Sequence, residues 1–410
     1  MSGPLVLVLN AGSSSLKCGL FEAAPDGGPR LLAGGQVEGL GGAARLALAD
    51  AGGRALAARS RPAGAAVDHR EALAALFALL PGLLGGRPVA IIGHRVVHGG
   101  VRFAAPVAVD EAVLAELEAL VPLAPLHQPH NLAGIRAARA LFPGIPQLAC
   151  FDTAFHRTQP EEAERFALPE RFFALGIRRY GFHGLSYAWI ARRLQAEDPA
   201  LAAGRVVVAH LGNGASLCAL QGGVSQGSSM GFTALDGVPM GTRCGQLDPG
   251  VVLYMLDQLG MSSAEVARVL YHESGLKGLS GISHDVREIE AAGGPAAERA
   301  LGHFAYRVRR EIGALAAALG GLDGLVFTGG IGEHAAGVRA RICAGLEFLG
   351  VRLDPAANAA HAPEIGAPDA PVRVLLRRAG EEEMIALHAL EWLAGKGDGA
   401  ILPGGRSAAP

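Results

Sequence analysis

An α/β protein built from two similar domains is the architecture the sequence predicts, on three observations. At 410 residues the chain exceeds the size at which a single core keeps growing, so two domains are expected. A strand–polar turn–strand design near the N-terminus returns about two hundred residues later. A strand, glycine turn and helix follow one another between Gly324 and Leu346, the interleaving that produces α/β layers.

The first of these designs is Leu5-Val6-Leu7-Val8-Leu9, a short β-type run that breaks into Asn10-Ala11-Gly12-Ser13-Ser14-Ser15 and resumes from Lys17 to Phe21. Its repeat is Val206 to Ala209, then His210-Leu211-Gly212-Asn213-Gly214-Ala215-Ser216, then Leu217 to Leu220. The pair reads as an internal duplication. Gly302 to Leu319 places apolar residues at Phe304, Ala305, Val308, Ile312, Leu315, Ala316 and Leu319, the spacing of an amphipathic core helix. It leads to the strand Gly324–Thr328, the turn Gly329-Gly330-Ile331-Gly332-Glu333 and a helix over Ala335–Leu346, a unit whose backbone can approach a nucleotide closely. The last helix is predicted over Glu381–Trp392, with a disordered Gly/Pro tail from Gly395 to Pro410.

Composition narrows the function. The apolar stretches Ala112–Leu126 and Ile312–Leu319 fall well short of the roughly 20 residues of a membrane span. Met1 to Leu9 lacks the basic region and cleavage site of a secretory signal, which points to the cytoplasm. Cys18, Cys150, Cys218, Cys244 and Cys343 are odd in number and contain no C-x-x-C pair, so they read as core filler and not as a disulfide framework or a zinc site. A net charge of −2 with no basic block offers no footprint for nucleic acid. The ligands are expected to be small.

The polar turn after Leu9 gathers backbone N–H groups and three hydroxyls, with Lys17 close behind: the parts of a phosphate cradle. Gly212-Asn213-Gly214 supplies the same donors without bulky side chains. Each alone reads equally as a hairpin turn; together with Lys17 they suggest a nucleotide held between two domains. Other polar segments sit at strand ends or glycine turns: Gly93 to Gly100 with Arg95 and His98, Leu126 to Asn131, Phe151 to His156 with Asp152, Tyr180 to Gly184 with His183, and Met240 to Gly245 with Arg243. Two arginines, a histidine and an aspartate flanked by glycines suit phosphoryl transfer, where catalysis is positioning plus stabilisation of spread negative charge. The plainer readings are core imidazoles or helix caps for His94, His127, His130 and His156, structural ion pairs for Arg95 and Arg243, an N-cap for Asp248, and dipole complementation for Glu381-Glu382-Glu383.

Taken together, Leu9 to Lys17, Gly93 to Gly100, Phe151 to His156, Gly181 to Gly184, His210 to Ser216 and Thr328 to Glu333 resemble, in order and over nearly the whole chain, the signatures of the acetate kinase family. The resemblance implies duplicated ribonuclease H-like domains with a central nucleotide cleft, the superfold shared with sugar kinases, heat-shock chaperones and actin. The domains would be 1–151 with 383–410 returning as a C-terminal helix, and 152–382 for nucleotide binding and dimerisation. It further implies ATP/ADP as co-substrate, Mg2+ with Mn2+ as a possible substitute, acetate or acetyl phosphate as partner, and a homodimer. By position, Asp152, His183 and Arg243 would be catalytic; Arg95, Val97, Leu126, Phe182 and Ala234 would bind the carboxylate substrate. Lys17 would contact the ATP phosphates, and His210, Leu211, Gly212, Asn213, Gly214, Asp285, Val286, Arg287, Gly330, Ile331, Gly332, Glu333 and His334 would carry the nucleotide. Asn10 and Glu381 would hold the metal, with Glu382 as the alternative. Asp152 is the family's conventional acid or base, yet a carboxylate acceptor with a pKa near about 4.3 is already an anion at neutral pH. Asp152 is therefore expected to orient Arg95 or Arg243, or to hold the metal's waters.

Departures from the family pattern are Gln128 for a usual Asn, His284 and Val286 around Asp285, His334 for Asn, Ala379-Gly380 before the acidic run, and Ala234 where Pro is usual. The competing functions are a propionate or butyrate kinase of the same fold, a sugar kinase, which would need an aspartate acting as base on a hydroxyl, and a chaperone-like or filament-forming ATPase. The last has no use for the arginine pair or for Gly-Phe-His-Gly.

Overall fold

Strand pairing sorts the chain into two mixed sheets. The computed structural model describes residues 3–12, 15–40, 44–60, 69–125 and 127–395. Its described residues up to Phe155, joined by those from Gly380, form one unit, and His156–Ala379 form the other.

The first unit holds β1 (Leu5–Ala11), β2 (Ser15–Ala23), β3 (Pro29–Glu38), β4 (Arg45–Asp50), β5 (Ala55–Ser60), β6 (Val89–Val96), β7 (Val107–Ala108) and β8 (Gln147–Phe151), in the order β5-β4-β3-β2-β1-β6-β8-β7. Both faces of its centre are covered, which is why β1 and β8 are almost continuously apolar and buried. Leu73, Leu76 and Phe77 of helix His69–Phe77 and Ala138 of helix Gln128–Leu141 pack with Leu7, Leu9, Leu16 and Ile92 on one face. Gly93 points the other way, where a methyl group would stand 2.5 Å from the Ile385 side chain. The helix Glu381–Leu393 thus rests on β6 at a residue with no side chain, burying Met384, Ile385 and Ala389.

In the second unit β9 (Arg205–Leu211), β10 (Ala215–Gln221), β11 (Val224–Ser228), β12 (Gly324–Thr328) and β13 (Arg373–Leu376) run in the order β11-β10-β9-β12-β13. Helix Gly294–Leu319 buries Leu301, Phe304, Val308, Ile312 and Leu315 against this sheet, as the periodicity predicts. Here β9 pairs antiparallel with β10 and parallel with β12, and β12 parallel with β13. In the first unit β1 pairs antiparallel with β2 and parallel with β6, and β6 parallel with β8. The same five-strand arrangement occurs twice, the duplication that the repeated turn suggests.

Some expected boundaries move. Asn10 and Ala11 extend β1, and the expected turn residues His210, Leu211, Ala215 and Ser216 belong to β9 and β10, because antiparallel pairing carries both hairpins almost to their glycines. The Gly329–Glu333 segment, expected as a turn before a helix, is itself helical over Gly329–His334. Gly329 makes the sharp entry possible: its φ is +77°, and a methyl group there would stand 2.7 Å from the Leu211 carbonyl oxygen. Asp248 caps the helix Pro249–Asp257 through the Gly250 N–H, the plainer reading. The five cysteines are free, four buried and Cys244 half-buried. Among the described residues no helix is long and apolar enough to cross a membrane. The expected disordered tail lies, beyond Gly395, outside the described residues.

Candidate active site

The sequence-predicted residues fall into two groups, one in each unit. In the first, parallel pairing of β6 with β8 sets Arg95 beside Cys150 and Val96 beside Phe151, so that Asp152 emerges next to the Arg95 side chain. Arg95 Nη2 donates to Asp152 Oδ2 at 2.6 Å and Nε to Oδ1 at 3.0 Å, a two-point ion pair with Asp152 only 1% exposed. Arg95 Nη1 also donates to Asn10 Oδ1 at 3.4 Å and lies 3.9 Å from Glu381 Oε2. Burial pulls the guanidinium down, but the charges of Asp152 and Glu381 more than restore it, so Arg95 stays charged. Burial pushes the Asp152 carboxyl above the usual carboxylate range, against the pull of Arg95.

The helix that starts at Gln128 holds this strand end in place. Gln128 is fully buried; its Oε1 accepts from the His98 N–H and its Nε2 donates to the His98 and Leu117 carbonyls. Asn131 accepts from the Val97 N–H at 3.0 Å and donates to the Ala11 carbonyl at 2.6 Å, coupling the end of β6 to the end of β1. Val97 is buried, Lys17 is exposed across the β1–β2 ladder from Asn10, and Gly12 N–H closes the hairpin on the Ser15 carbonyl. Ser13, Ser14 and the expected substrate contact Leu126 lie outside the described residues.

The Asn10 amide oxygen and the Glu381 carboxylate are hard oxygen donors gathered on one side group, Arg95. No three His, Cys, Asp or Glu side chains cluster as a metal site among the described residues. Two oxygen donors are a donor set that Mg2+, which keeps several waters, could use. Of the two acidic alternatives, Glu381 approaches Arg95, whereas the charge of Glu382 also acts on the Cys18 thiol.

In the second unit the β9–β10 turn and the start of helix Gly329–His334 abut: a methyl group on Gly212 would stand 3.3 Å from the Gly214 carbonyl and 4.0 Å from the Gly330 nitrogen. Gly330 itself faces open space. Arg243 and His183 converge on this turn. A methyl carbon on Gly214 would stand 3.1 Å from Arg243 Nη2 and 3.3 Å from His183 Nε2. Arg243 Nη1 donates to the Ala234 carbonyl at 2.6 Å, which fixes the guanidinium, and Asn213 accepts at its carbonyl from the Gly241 N–H two residues before Arg243. His183 adopts a left-handed φ of +57°, and its Nδ1 lies 2.8 Å from Ser216 Oγ. Its ring stacks on His210 with centroids 4.4 Å apart.

The other expected nucleotide contacts occupy distinct settings. The Leu211, Val286 and Phe182 side chains are buried, which leaves their backbone to a ligand. Asp285 caps helix Val286–Ala292 and is bonded by Arg287, whose side chain and then backbone pull its carboxyl down to about 2. Glu333 accepts from the Gly329 and Ala379 N–H groups, so its Oε1 ties the helix start to the segment before the last helix. His334 and His284 are exposed, His284 beside Gly241.

Two residues brace these groups: Arg339, which sequence reasoning missed, and His156, whose plainer reading as a core imidazole holds. Arg339, fully buried, donates to the Gly332 and Glu333 carbonyls and to Asn358, which makes it the prop of the Gly330–His334 segment. The helix Ala336–Cys343 that holds it shows no amphipathic pattern that would have pointed to it. His156, a fully buried imidazole lowered to about 4 by burial, bonds the Phe182 carbonyl through Nε2 and Ser225 through Nδ1.

Comparison with known proteins places this geometry. The family model described as Acetokinase family matches residues 5–387. A protein named acetate kinase from Methylocella silvestris is 52% identical over 394 residues, covering 95% of this chain and 98% of its own. One named propionate kinase from Citrobacter rodentium is 45% identical over 391 residues, covering 93% of this chain and 95% of its own. The crystal structure of Porphyromonas gingivalis acetate kinase superposes with a TM-score of 0.86 at 38% identity, covering 95% of this chain and 100% of its own.

Proposed function

We propose that this chain, which belongs to the acetokinase family, transfers the γ-phosphoryl group of ATP reversibly to acetate, giving acetyl phosphate and ADP. The observation that carries the reading is the meeting of Arg243 and His183 over Gly214, at a turn that abuts the helix start where Gly330 faces open space. A guanidinium and an imidazole converging on one point are donors suited to charge spread over the equatorial oxygens of a phosphoryl group in transfer.

Arg95 is the anchor for the acceptor carboxylate, and Asp152, bonded to it at two points, holds its orientation. The acceptor is an anion at neutral pH, so no base is required, and this separates a carboxylate kinase from a sugar kinase. The family resemblance assigns Val97, Leu126, Phe182 and Ala234 to the acyl group. Lys17 and the turn after Asn10 bind phosphate; His210 to Gly214, Asp285 to Arg287 and Gly330 to His334 carry the nucleotide. Asn10 and Glu381 hold Mg2+, directly or through its waters; Mn2+ has the same oxygen preference. When bound, the ion would offset negative charge on the phosphates.

The five free cysteines fit a reducing cytoplasm. A homodimer is supported by the helix Pro249–Asp257, which buries none of its residues and exposes Val251, Leu253 and Tyr254 beside Leu247 and Leu259. Light scattering of Leu253→Asp should report a monomer where the natural protein is a dimer. Propionate is the second acceptor, favoured by the small Ala234 side chain.

The decisive experiment traps the acyl phosphate as its hydroxamate, with ATP and a panel of acetate, propionate, butyrate and glucose. Acetate should give the highest yield and glucose no ATP consumption above background. Absence of hydroxamate from every carboxylate would overturn the reading.

A further inference from the structure

Behind His183 lies a chain of buried hydroxyls. Ser216 Oγ stands 2.8 Å from His183 Nδ1 and 2.5 Å from the Tyr187 hydroxyl, and Ser216 and Tyr187 are both fully buried. The fold brings them together from separate elements. Tyr187 lies one helical turn after His183, and its N–H donates to the His183 carbonyl; Ser216 reaches the same place from β10, where it pairs with His210 of β9.

A serine hydroxyl has a single proton, so Ser216 cannot donate to both neighbours. Of the two hydroxyls the phenol is the stronger acid and therefore the better donor, so Tyr187 donates to Ser216 and the Ser216 proton is left for His183 Nδ1. A nitrogen that accepts carries the lone pair, and the ring proton of the neutral imidazole is then on Nε2. That is the nitrogen 3.3 Å from a methyl carbon on Gly214, where Arg243 Nη2 also arrives. In the opposite polarity Nδ1–H would donate to Ser216 Oγ and Nε2 would turn its lone pair toward a phosphoryl oxygen.

A second brace acts on the backbone. The Phe182 carbonyl can only accept, so the His156 Nε2 at 2.9 Å is its donor, and Ser225 serves His156 Nδ1. The His156 ring also meets Tyr187 edge to face, 5.6 Å between centroids. The residue before His183 and the phenol behind it thus share one support.

We infer that Tyr187 and Ser216 are positioning residues: a hydroxyl relay that holds His183 as the Nε2–H tautomer and aims that N–H at the space over Gly214. The inference rests on the reading of His183 as a charge-stabilising donor, and it predicts the state of the ring before any substrate binds. Nitrogen-15 spectra of histidine-labelled full-length protein, assigned with His183→Asn, should show Nδ1 of His183 as the unprotonated nitrogen and Nε2 as the protonated one. Tyr187→Phe and Ser216→Ala should move the Nδ1 resonance toward the protonated position and lower kcat by about 10–100-fold, the range for lost ligand-orienting groups, with both KM values within about twofold. Ser216→Thr, which keeps the hydroxyl, should restore the resonance and most of the rate. An Nδ1–H tautomer or a doubly protonated ring in the natural protein would overturn the relay. So would an unchanged His183 spectrum and kcat in Tyr187→Phe. Failure of the natural protein to form any acyl hydroxamate would refute the proposed activity, while the spectra would still decide the relay.

Discussion

Adding a single methyl group at Gly214 should separate catalysis from stability. Gly214 does not use a left-handed φ, and its carbonyl bond to the Gly212 N–H survives substitution. Gly214→Ala therefore carries no backbone strain and removes freedom from the unfolded chain, worth about 0.4–1 kcal/mol of added stability. The new carbon, however, would stand 3.1 Å from Arg243 Nη2 and 3.3 Å from His183 Nε2. Both are inside comfortable contact, so each group must retreat by a few tenths of an ångström, and the methyl takes up space meant for the phosphoryl oxygens. A misplacement of about 1 Å costs roughly 10²-fold in a positioned reaction; the smaller retreat plus the occupied space should lower kcat by about 10–100-fold, or roughly 1.4–2.7 kcal/mol. The KM for acetate should hold. Hydroxamate-trapping kinetics and a thermal melt on the same preparation read both effects. A melt at or above that of the natural protein with kcat within twofold would refute the role assigned to Arg243 and His183.

Removing Arg243 outright should lower kcat far more than it raises the acetate KM, a loss of about 2.7–4 kcal/mol by analogy with an oxyanion-hole donor; near-normal kcat in folded Arg243→Ala would remove the assignment. Arg95→Ala should raise the acetate KM as well, because it loses an anchor made in the ground state. Ala234→Pro tests the acyl-length reading: among the described residues the Ala234 N–H makes no hydrogen bond and its carbonyl holds Arg243, so the proline removes no bond from the turn. Propionate should be used within about tenfold of acetate in kcat/KM, the proline should widen that margin, and a hundredfold acetate preference untouched by it would exclude Ala234 as the determinant. Acid stability tests the buried imidazoles. Burial lowers His94, bonded to Gln147, from the ordinary 6.5 to about 4. Below the unfolded value the unfolded chain binds a proton that the folded chain refuses, so stability is full above pH 6.5 and falls toward pH 4 by roughly 3 kcal/mol for this ring. Urea unfolding of His94→Gln across that window should show a shallower pH slope; an identical slope with only a shifted midpoint would contradict the assignment.

Local chemistry determined much of this protein from sequence alone. Alternating and continuous apolar runs define strands, and the 3.6-residue period of Phe304 to Leu319 defines the core helix, because side-chain burial must follow backbone periodicity. Glycine placement marks the hairpin tips and the sharp turn at Gly329, where the backbone bends tightly. The order of motifs carried the family.

What the sequence alone did not determine is which distant groups meet. Arg95 and Asp152 lie 57 residues apart and pair because one strand register puts Val96 opposite Phe151; a shift of one residue would have turned Asp152 away. The sequence leaves Asp152 open between Arg95, Arg243 and the metal's waters, and the parallel pairing of β6 with β8 sets it on Arg95. The helical start at Gly329 went against glycine's poor helix propensity, overcome by the Glu333 carboxylate that accepts the Gly329 N–H and by buried Arg339 bonded to the carbonyls of Gly332 and Glu333. Tyr187 and Ser216 look like an ordinary helix residue and an ordinary strand residue until packing sets both hydroxyls behind His183. The distinction is physical: short-range periodicity and turn preference act through neighbours along the chain, whereas a partner across the fold is selected by burial, register and the need of each buried polar group for a hydrogen bond.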